Sequence, residues 1–494
     1  MRKLSEGGKD QGSKKHAARI DRELPYVISL ITLMAASGIS PFVSFKKLMH
    51  FELLPTMKRE AQNIVKQVEI LGLDPLTVMN KKAEQTLSQQ YQDFLGGYAS
   101  TVYSGGSVVN FLKSKMRSIF DLQAAFAKQS VSKLGALVEA YMVIQVIILT
   151  LYIILVALSS TPNMNIGLPV DASSISSNPL PLLILPIILS GMFMFIVQQV
   201  TSSTFIGMEN LLKKSLMIIM PGIIIIAIMA MLNLFQGMIA LPYIVGLVLI
   251  ATSLKPMLEY RKIEKMNLAA EAAAPGILRD IAEARKTGLS PERCIIHACK
   301  RKGYHEFSGV VKTVVNQLEW GVPLRKIFST IREKVSSWLV LINFRILTEV
   351  IESGGGHAEA LEILAESSEK AFNVEKEKRN MLTPYVMIAF IIMGLTAFTT
   401  LMVIDSFGDI SQTTMGSNPN RAYAEKQTAQ MMEIFSVSAI FQSWLAGFFI
   451  GKVTSGTFAS GFKYAIFLAL TATIAVLVVD FADINLTSLF KTRI

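Results

Sequence analysis

Residues able to do acid–base, nucleophilic or metal chemistry are few and scattered in this chain. The five histidines, His16, His50, His297, His305 and His357, form neither an HxH nor an HExxH pair. A zinc hydrolase sets two imidazoles on one helix face, and that spacing is missing here. Cys294 and Cys299 are the only cysteines. A lone CxxxxC lacks the two further ligands of a tetrahedral zinc site, so reducible structural thiols are the better reading. Gly354–Gly356 could cradle a phosphate, but no Gly-Lys-Ser/Thr follows and the next residue is His357 in a Glu-rich stretch. A tight turn between helices explains those glycines. No GxSxG, Walker, GxGxxG or kinase signature occurs. These residues predict no catalytic residue, no metal site and no cofactor.

The elements around them explain why. Of the 494 residues, 51% are hydrophobic and 17% charged, and the apolar residues fall in long blocks. A bilayer about 30 Å thick demands runs of about 20 such residues, whereas an aqueous core does not. Seven segments meet that test: about 136–159, 181–200, 215–234, 238–255, 384–404, 432–451 and 462–480. The Lys and Arg residues concentrate in two large polar regions, about 1–135 and 256–382, while the loops 160–180 and 405–431 carry only Arg421 and Lys426. The positive-inside rule puts both polar regions and the amino terminus in the cytoplasm, and seven spans put the carboxyl terminus outside. Asp405, Asp409 and Asp480 then sit at outer span ends, where an aspartyl prepilin-type peptidase would not use them. The span interiors hold no ionisable group, which argues against a coupled solute transporter. That transporter and a membrane-surface scaffold are the alternative readings.

An internal repeat organises the polar regions. Pro25 pairs with Pro275, Gly38 with Gly288, Ser40 with Ser290 and Pro41 with Pro291, all at an offset of 250. The register slips slightly further on, giving Gly72 with Gly321, Pro75 with Pro323, and Ser104-Gly105-Gly106 with Ser353-Gly354-Gly355. Each shared residue has a physical role. Gly38 and Gly288 suit the left-handed position that ends a helix. Ser40 and Ser290 can accept from free amides of the next helix, and Pro41 and Pro291 occupy a first turn where a missing N–H costs nothing. Pro75 and Pro323 start another helix in the same manner. Apolar residues recur at helical spacing between these marks, as in Ile277, Ile281 and Ala284.

The expected fold is all-α: a polytopic membrane protein with two cytoplasmic six-helix antiparallel modules. The expected order is a basic polar tail (1–19), a first module (20–135), four spans (136–255), a second module (256–382) and three spans (383–494) with an outer loop at 405–431. The sixth helix of each module runs toward a span, the second from about Ala358 with Pro384 at the junction. Such a helix is either a lever or a tether. Basic clusters at Lys81-Lys82, Lys300-Arg301-Lys302 and Arg325-Lys326 offer contacts to anionic lipid headgroups or an acidic protein. Without a reading motif or interleaved aromatics they do not point to nucleic acid.

The ordered Gly-x-Ser-Pro, Gly-x-Pro-Leu (or Gly-x-x-Pro-Leu) and Ser-Gly-Gly turns, repeated twice, resemble the type II secretion system F domain family over about 20–135 and 271–400. The number of spans is similar to that of the archaeal members, above all the archaellum assembly platforms. The resemblance implies a non-enzymatic membrane platform at the base of a type IV pilus-like filament. The implied partners are a cytoplasmic hexameric secretion ATPase, pilin- or archaellin-type filament subunits and membrane lipids. A sixfold motor also suggests a small symmetric homo-oligomer, a dimer or trimer. The first copy lacks the acidic sixth helix, which makes the second copy the expected motor contact.

Overall fold

A computed structural model describes residues 2–159, 180–201, 206–208, 210–215, 217, 220, 241–301, 303–414 and 421–482. All secondary structure among them is helical, as expected. The first repeat comprises α1 (Arg2–Ala36), α2 (Pro41–Leu48), α3 (Pro55–Glu69), α4 (Pro75–Gln85), α5 (Gln89–Tyr103) and α6 (Val108–Ser159), and α7 (Leu180–Val200) follows. The second repeat begins late in α8 (Leu241–Lys286). It continues through α9 (Pro291–Cys299), α10 (Ser308–Glu319), α11 (Leu324–Lys334), α12 (Trp338–Glu352) and α13 (Ala358–Thr414). The chain ends with α14 (Arg421–Ser455) and α15 (Gly461–Ala482).

The shared turn residues act where the sequence places them. Ser40 and Ser290 cap α2 and α9 by accepting from the amides of Val43 and Arg293, with Pro41 and Pro291 in the first turns. Asp74 caps α4 through the Thr77 amide, with Pro75 at its start, whereas Pro323 precedes α11 without any side-chain cap. Gly38 and Gly288 adopt φ of +77° and +86°, a region costly for residues with a Cβ. Gly105 and Gly354 share that backbone region. Gly355 is required for space instead, since a Cβ there would lie 2.8 Å from the Val350 carbonyl oxygen and 2.9 Å from Ser37 Oγ.

The chain divides into two compact units, one of Met1–Gln129 with Ile263–Lys378, the other of Ser130–Lys262 with Arg379–Ile494. Both repeats lie in the first unit and share one hydrophobic core. The physical reason is visible in α1 and α12, which are buried continuously over Glu23–Met34 and Leu339–Val350. A helix buried on all sides needs neighbours all round, and no single repeat supplies enough of them. Tyr26 of α1 meets Trp338 of α12 edge to face at 4.6 Å, and the Trp338 indole N–H donates to the Leu53 carbonyl at 3.0 Å.

The boundaries at 19, 135, 255 and 382 also fall inside helices. α1 starts at Arg2, α6 and α13 pass from amphipathic to apolar sequence without interruption, and α8 passes from apolar to amphipathic. Extending an existing helix needs no new nucleus, so polarity changes without ending it. Pro384 is accommodated inside α13, which spans 57 residues. The connector expected at 405–431 is helical at both ends, up to Thr414 and again from Arg421.

In the second unit, stretches within Val108–Ile148, Leu241–Lys286, Ser436–Ser455 and Phe458–Val478 are long and apolar enough to cross a membrane, and Ile188–Val200 is a shorter apolar helix. The expected segment 215–234 and the loop 160–180 lie in large part outside the described residues. α14 and α15 form the tightest contact. A Cβ on Gly447 would lie 2.2 Å from the Ala465 backbone nitrogen, and one on Gly451 would lie 2.3 Å from Gly461. Tyr141, Phe193 and Phe449 cluster nearby, with the Tyr141 hydroxyl 3.1 Å from Ser190 Oγ. Gln442 donates to Gln145, and the Trp444 indole N–H donates to Ser253 at 2.9 Å. Side-chain hydrogen bonds of this kind join helices where hydrophobicity alone gives no preference for a neighbour.

Candidate functional site

α6 and α13 hold the same place in the two repeats, and in the first unit they meet along a seam. Arg117 pairs with Glu366 at 3.2 Å, and Lys128 with Glu377 at 3.2 Å. In each pair the two residues are 249 apart, the offset that relates Gly105 to Gly354, so each position meets its own counterpart. Only an approximate two-fold axis between the repeats brings equivalent positions together. The charges on that axis are opposite, basic on α6 and acidic on α13, and Lys113 with Glu359 extends the pattern. In the second unit the same helices touch where Gly135 admits the Tyr385 ring, again at nearly equivalent positions.

The approximate symmetry recurs elsewhere. Ser88 caps α5 and donates to Asp21 on α1, while Ser337 caps α12 and donates to Glu271 on α8 at 2.5 Å. Burial raises the Asp21 pKa, opposed by the Ser88 hydroxyl. Glu23 breaks the pattern: its carboxylate accepts from the Thr56 and Met57 amides at 3.2 and 2.8 Å, closing the α3 amino end that has no cap of its own. Burial nevertheless raises its pKa.

A buried charge cluster joins the repeats at a second place. Glu349, 1% exposed, accepts from Arg345 at 3.0 Å and lies 3.4 Å from Lys47 of the first repeat. The Arg345 guanidinium stacks over Phe51 at 5.0 Å and Phe328 at 5.8 Å. Arg325 reaches Glu352 at 2.9 Å and Glu349 at 3.9 Å. The sequence signal for this cluster is an Arg and a Glu four residues apart in the otherwise uncharged, mostly apolar stretch Trp338–Ile351.

The nominated basic residues divide into engaged and free. Lys300 pairs with Glu319 at 2.8 Å, Arg301 donates to both Asp280 oxygens at 2.9 Å, and Lys82 pairs with Glu60 at 2.9 Å. Arg325, itself exposed, pairs with Glu352 at the edge of the buried cluster. Lys81 and Lys326 are exposed and hold no ion pair among the described residues, and Lys302 lies outside those residues. Both cysteines are buried, and burial pushes the Cys299 thiol up to about 12, far from the reactive thiolate. No group of three or more His, Cys, Asp or Glu residues suited to a metal occurs among the described residues.

The seam can be tested by charge reversal. Exposed ion pairs contribute under about 1 kcal/mol each. Arg117→Glu with Lys128→Glu should therefore lower stability modestly in chemical denaturation. Adding Glu366→Arg and Glu377→Lys should restore it; no recovery would show that the charges do not act in pairs.

An uncharacterized protein of Methanocaldococcus jannaschii is 22% identical over 429 residues, covering 80% of this chain and 70% of the relative. No solved structure matches the chain. The family model for type II secretion system protein F matches residues 277–404. That family forms the membrane platform of secretion, pilus and archaellum systems. The match covers α9 to α12 with the end of α8 and most of α13, so it is the second repeat, with its descent into apolar sequence, that is similar to type II secretion system protein F.

Proposed function

We propose that the chain is an integral-membrane platform of a type IV pilus-like or archaellum assembly machine. In this reading the first unit lies in the cytoplasm and receives motion from a hexameric secretion ATPase, and α6 and α13 carry it to the spans that handle filament subunits. The chain makes and breaks no bond; lipids, filament subunits and other copies of the chain are its remaining partners. The observation that carries the reading is the unbroken run of α6 and α13 from a duplicated, tightly packed unit into apolar sequence. A helix holds its length under load at 1.5 Å per residue, which a loop tether does not.

The test is to break the rod without touching either end. Asn373→Pro with Lys376→Pro removes two backbone donors and kinks the helix. Membrane insertion should survive while filament number falls at least tenfold by electron microscopy. Normal filament numbers would overturn the transmission of motion through α13.

A further inference from the structure

The turn between the third and fourth helices of each repeat is built to one plan. In the first repeat α3 ends at Glu69, which pairs with Lys46; in the second α10 ends at Glu319, which pairs with Lys300. Gly72 and Gly321 then take φ of +65° and +72°, and Pro75 and Pro323 lead into the next helices. The Leu73 amide donates to the Gln67 carbonyl and the Val322 amide to the Gln317 carbonyl, which closes each helix end.

Folding accounts for the glycines and for those two amides. It does not account for the residues just before the glycines. Trp320 is 87% exposed, and Ile70 and Leu71 are 71% and 62% exposed. Leu71 and Trp320 are counterparts under the offset of 249, so the same corner of the fold shows a large apolar side chain to water twice. A lone exposed apolar residue is ordinary; recurrence at equivalent positions on turns of the same construction is the mark of a contact surface, and Trp is enriched among residues that dominate such contacts.

Three occupants compete, and the position of the turns decides between them. Glu349 and Glu352 at the end of α12 meet Lys47 and Arg325, and Arg285 at the end of α8 donates to the Gly356 carbonyl at 2.8 Å. These contacts gather the end of α12, the beginnings of α11 and α13, and both turns at one pole of the first unit. α6 and α13 leave this unit at Gln129 and Lys378, at the opposite pole, where Lys128 meets Glu377. The turns thus lie at the end of the first unit opposite Gln129 and Lys378, after which the sequence becomes apolar, which disfavours a lipid surface. Lys66, one turn before Ile70, and Lys326 are exposed with no ion pair among the described residues, so a second copy would bring like charges together. A protein offering apolar pockets rimmed by carboxylates fits.

We infer that the two turns at Ile70–Leu73 and Trp320–Val322 are the paired docking knobs of this chain for its motor protein, each seated in an apolar pocket with an acidic rim. The identity of that partner rests on the platform reading. The test uses the full chain in lipid nanodiscs and the purified secretion ATPase of the same organism. Trp320→Ser with Leu71→Ser should weaken binding at least tenfold without changing the melting temperature. Leu87→Ser, which removes another exposed leucine next to the Ser88 that donates to Asp21, should bind like the parent. Parent-like binding by the Trp320→Ser/Leu71→Ser protein would overturn the inference and leave the platform reading standing. Quenching of Trp320 by brominated lipid, or self-association lost in the variant, would also overturn it. No binding by the parent chain would defeat both readings.

Discussion

Gly451→Leu is expected to prevent recovery of folded protein from membranes. α14 and α15 approach so closely at Gly451 that a single added Cβ would fall 2.3 Å from Gly461, and the Gly447 site meets Ala465 backbone at 2.2 Å. Backbone cannot rotate aside as a side chain can, so the helices must separate. Separation would break the Ser460 hydroxyl bond to the Gly451 carbonyl, now 2.7 Å long, and open the apolar core around Phe449. Overpacking alone costs about 1–3 kcal/mol and occasionally more, to which the lost contacts add. Gly191→Ala, where nothing lies within 4 Å of the new methyl, should stay close to the parent. Size-exclusion profiles and thermal melting in detergent read both outcomes; a monodisperse Gly451→Leu protein with parental melting would contradict the close approach.

Glu349→Ala should be the most damaging single change in the first unit. Removing this carboxylate leaves Arg345 charged, 9% exposed and held between two phenylalanine rings. Breaking a buried pair from one side costs about 3–5 kcal/mol, because the remaining charge loses its compensation. Lys47 loses the same carboxylate, while Arg325 keeps Glu352. Lys46→Ala, removing a pair that is exposed on both sides, should cost a small fraction of that. Chemical denaturation of the purified chain gives the comparison. Equal effects from the two changes would mean that the cluster is not buried in solution.

The sequence announced the punctuation of this fold more clearly than its assembly. Turn residues such as Gly38, Ser40 and Pro41 act locally, so their types and order suffice to place them. The merging of two repeats around α1 and α12 is a different kind of fact. Helical periodicity tells which face is covered, not which segment covers it, and Leu339–Val350 carries no empty face to read. Arg345 and Glu349 were legible in principle, since ionised groups rarely enter apolar helices without a partner. So was the Gly447-x-x-x-Gly451 spacing, a signal of close helix approach that average apolarity conceals. The exposed Trp320 could not be read at all, because exposure belongs to the packed unit. The pairing of Lys300, Arg301, Lys82 and Arg325 was hidden for the same reason: their carboxylates come from distant positions.

The opposed charges where α6 and α13 touch have an evolutionary and assembly consequence. An association of two identical halves would set arginine against arginine and glutamate against glutamate at those points. Once both halves are carried on one polypeptide, each can specialise, and neither remains a good mate for itself. The one-to-one stoichiometry of the halves is then fixed at translation, and exchange of a half between neighbouring molecules would gain nothing.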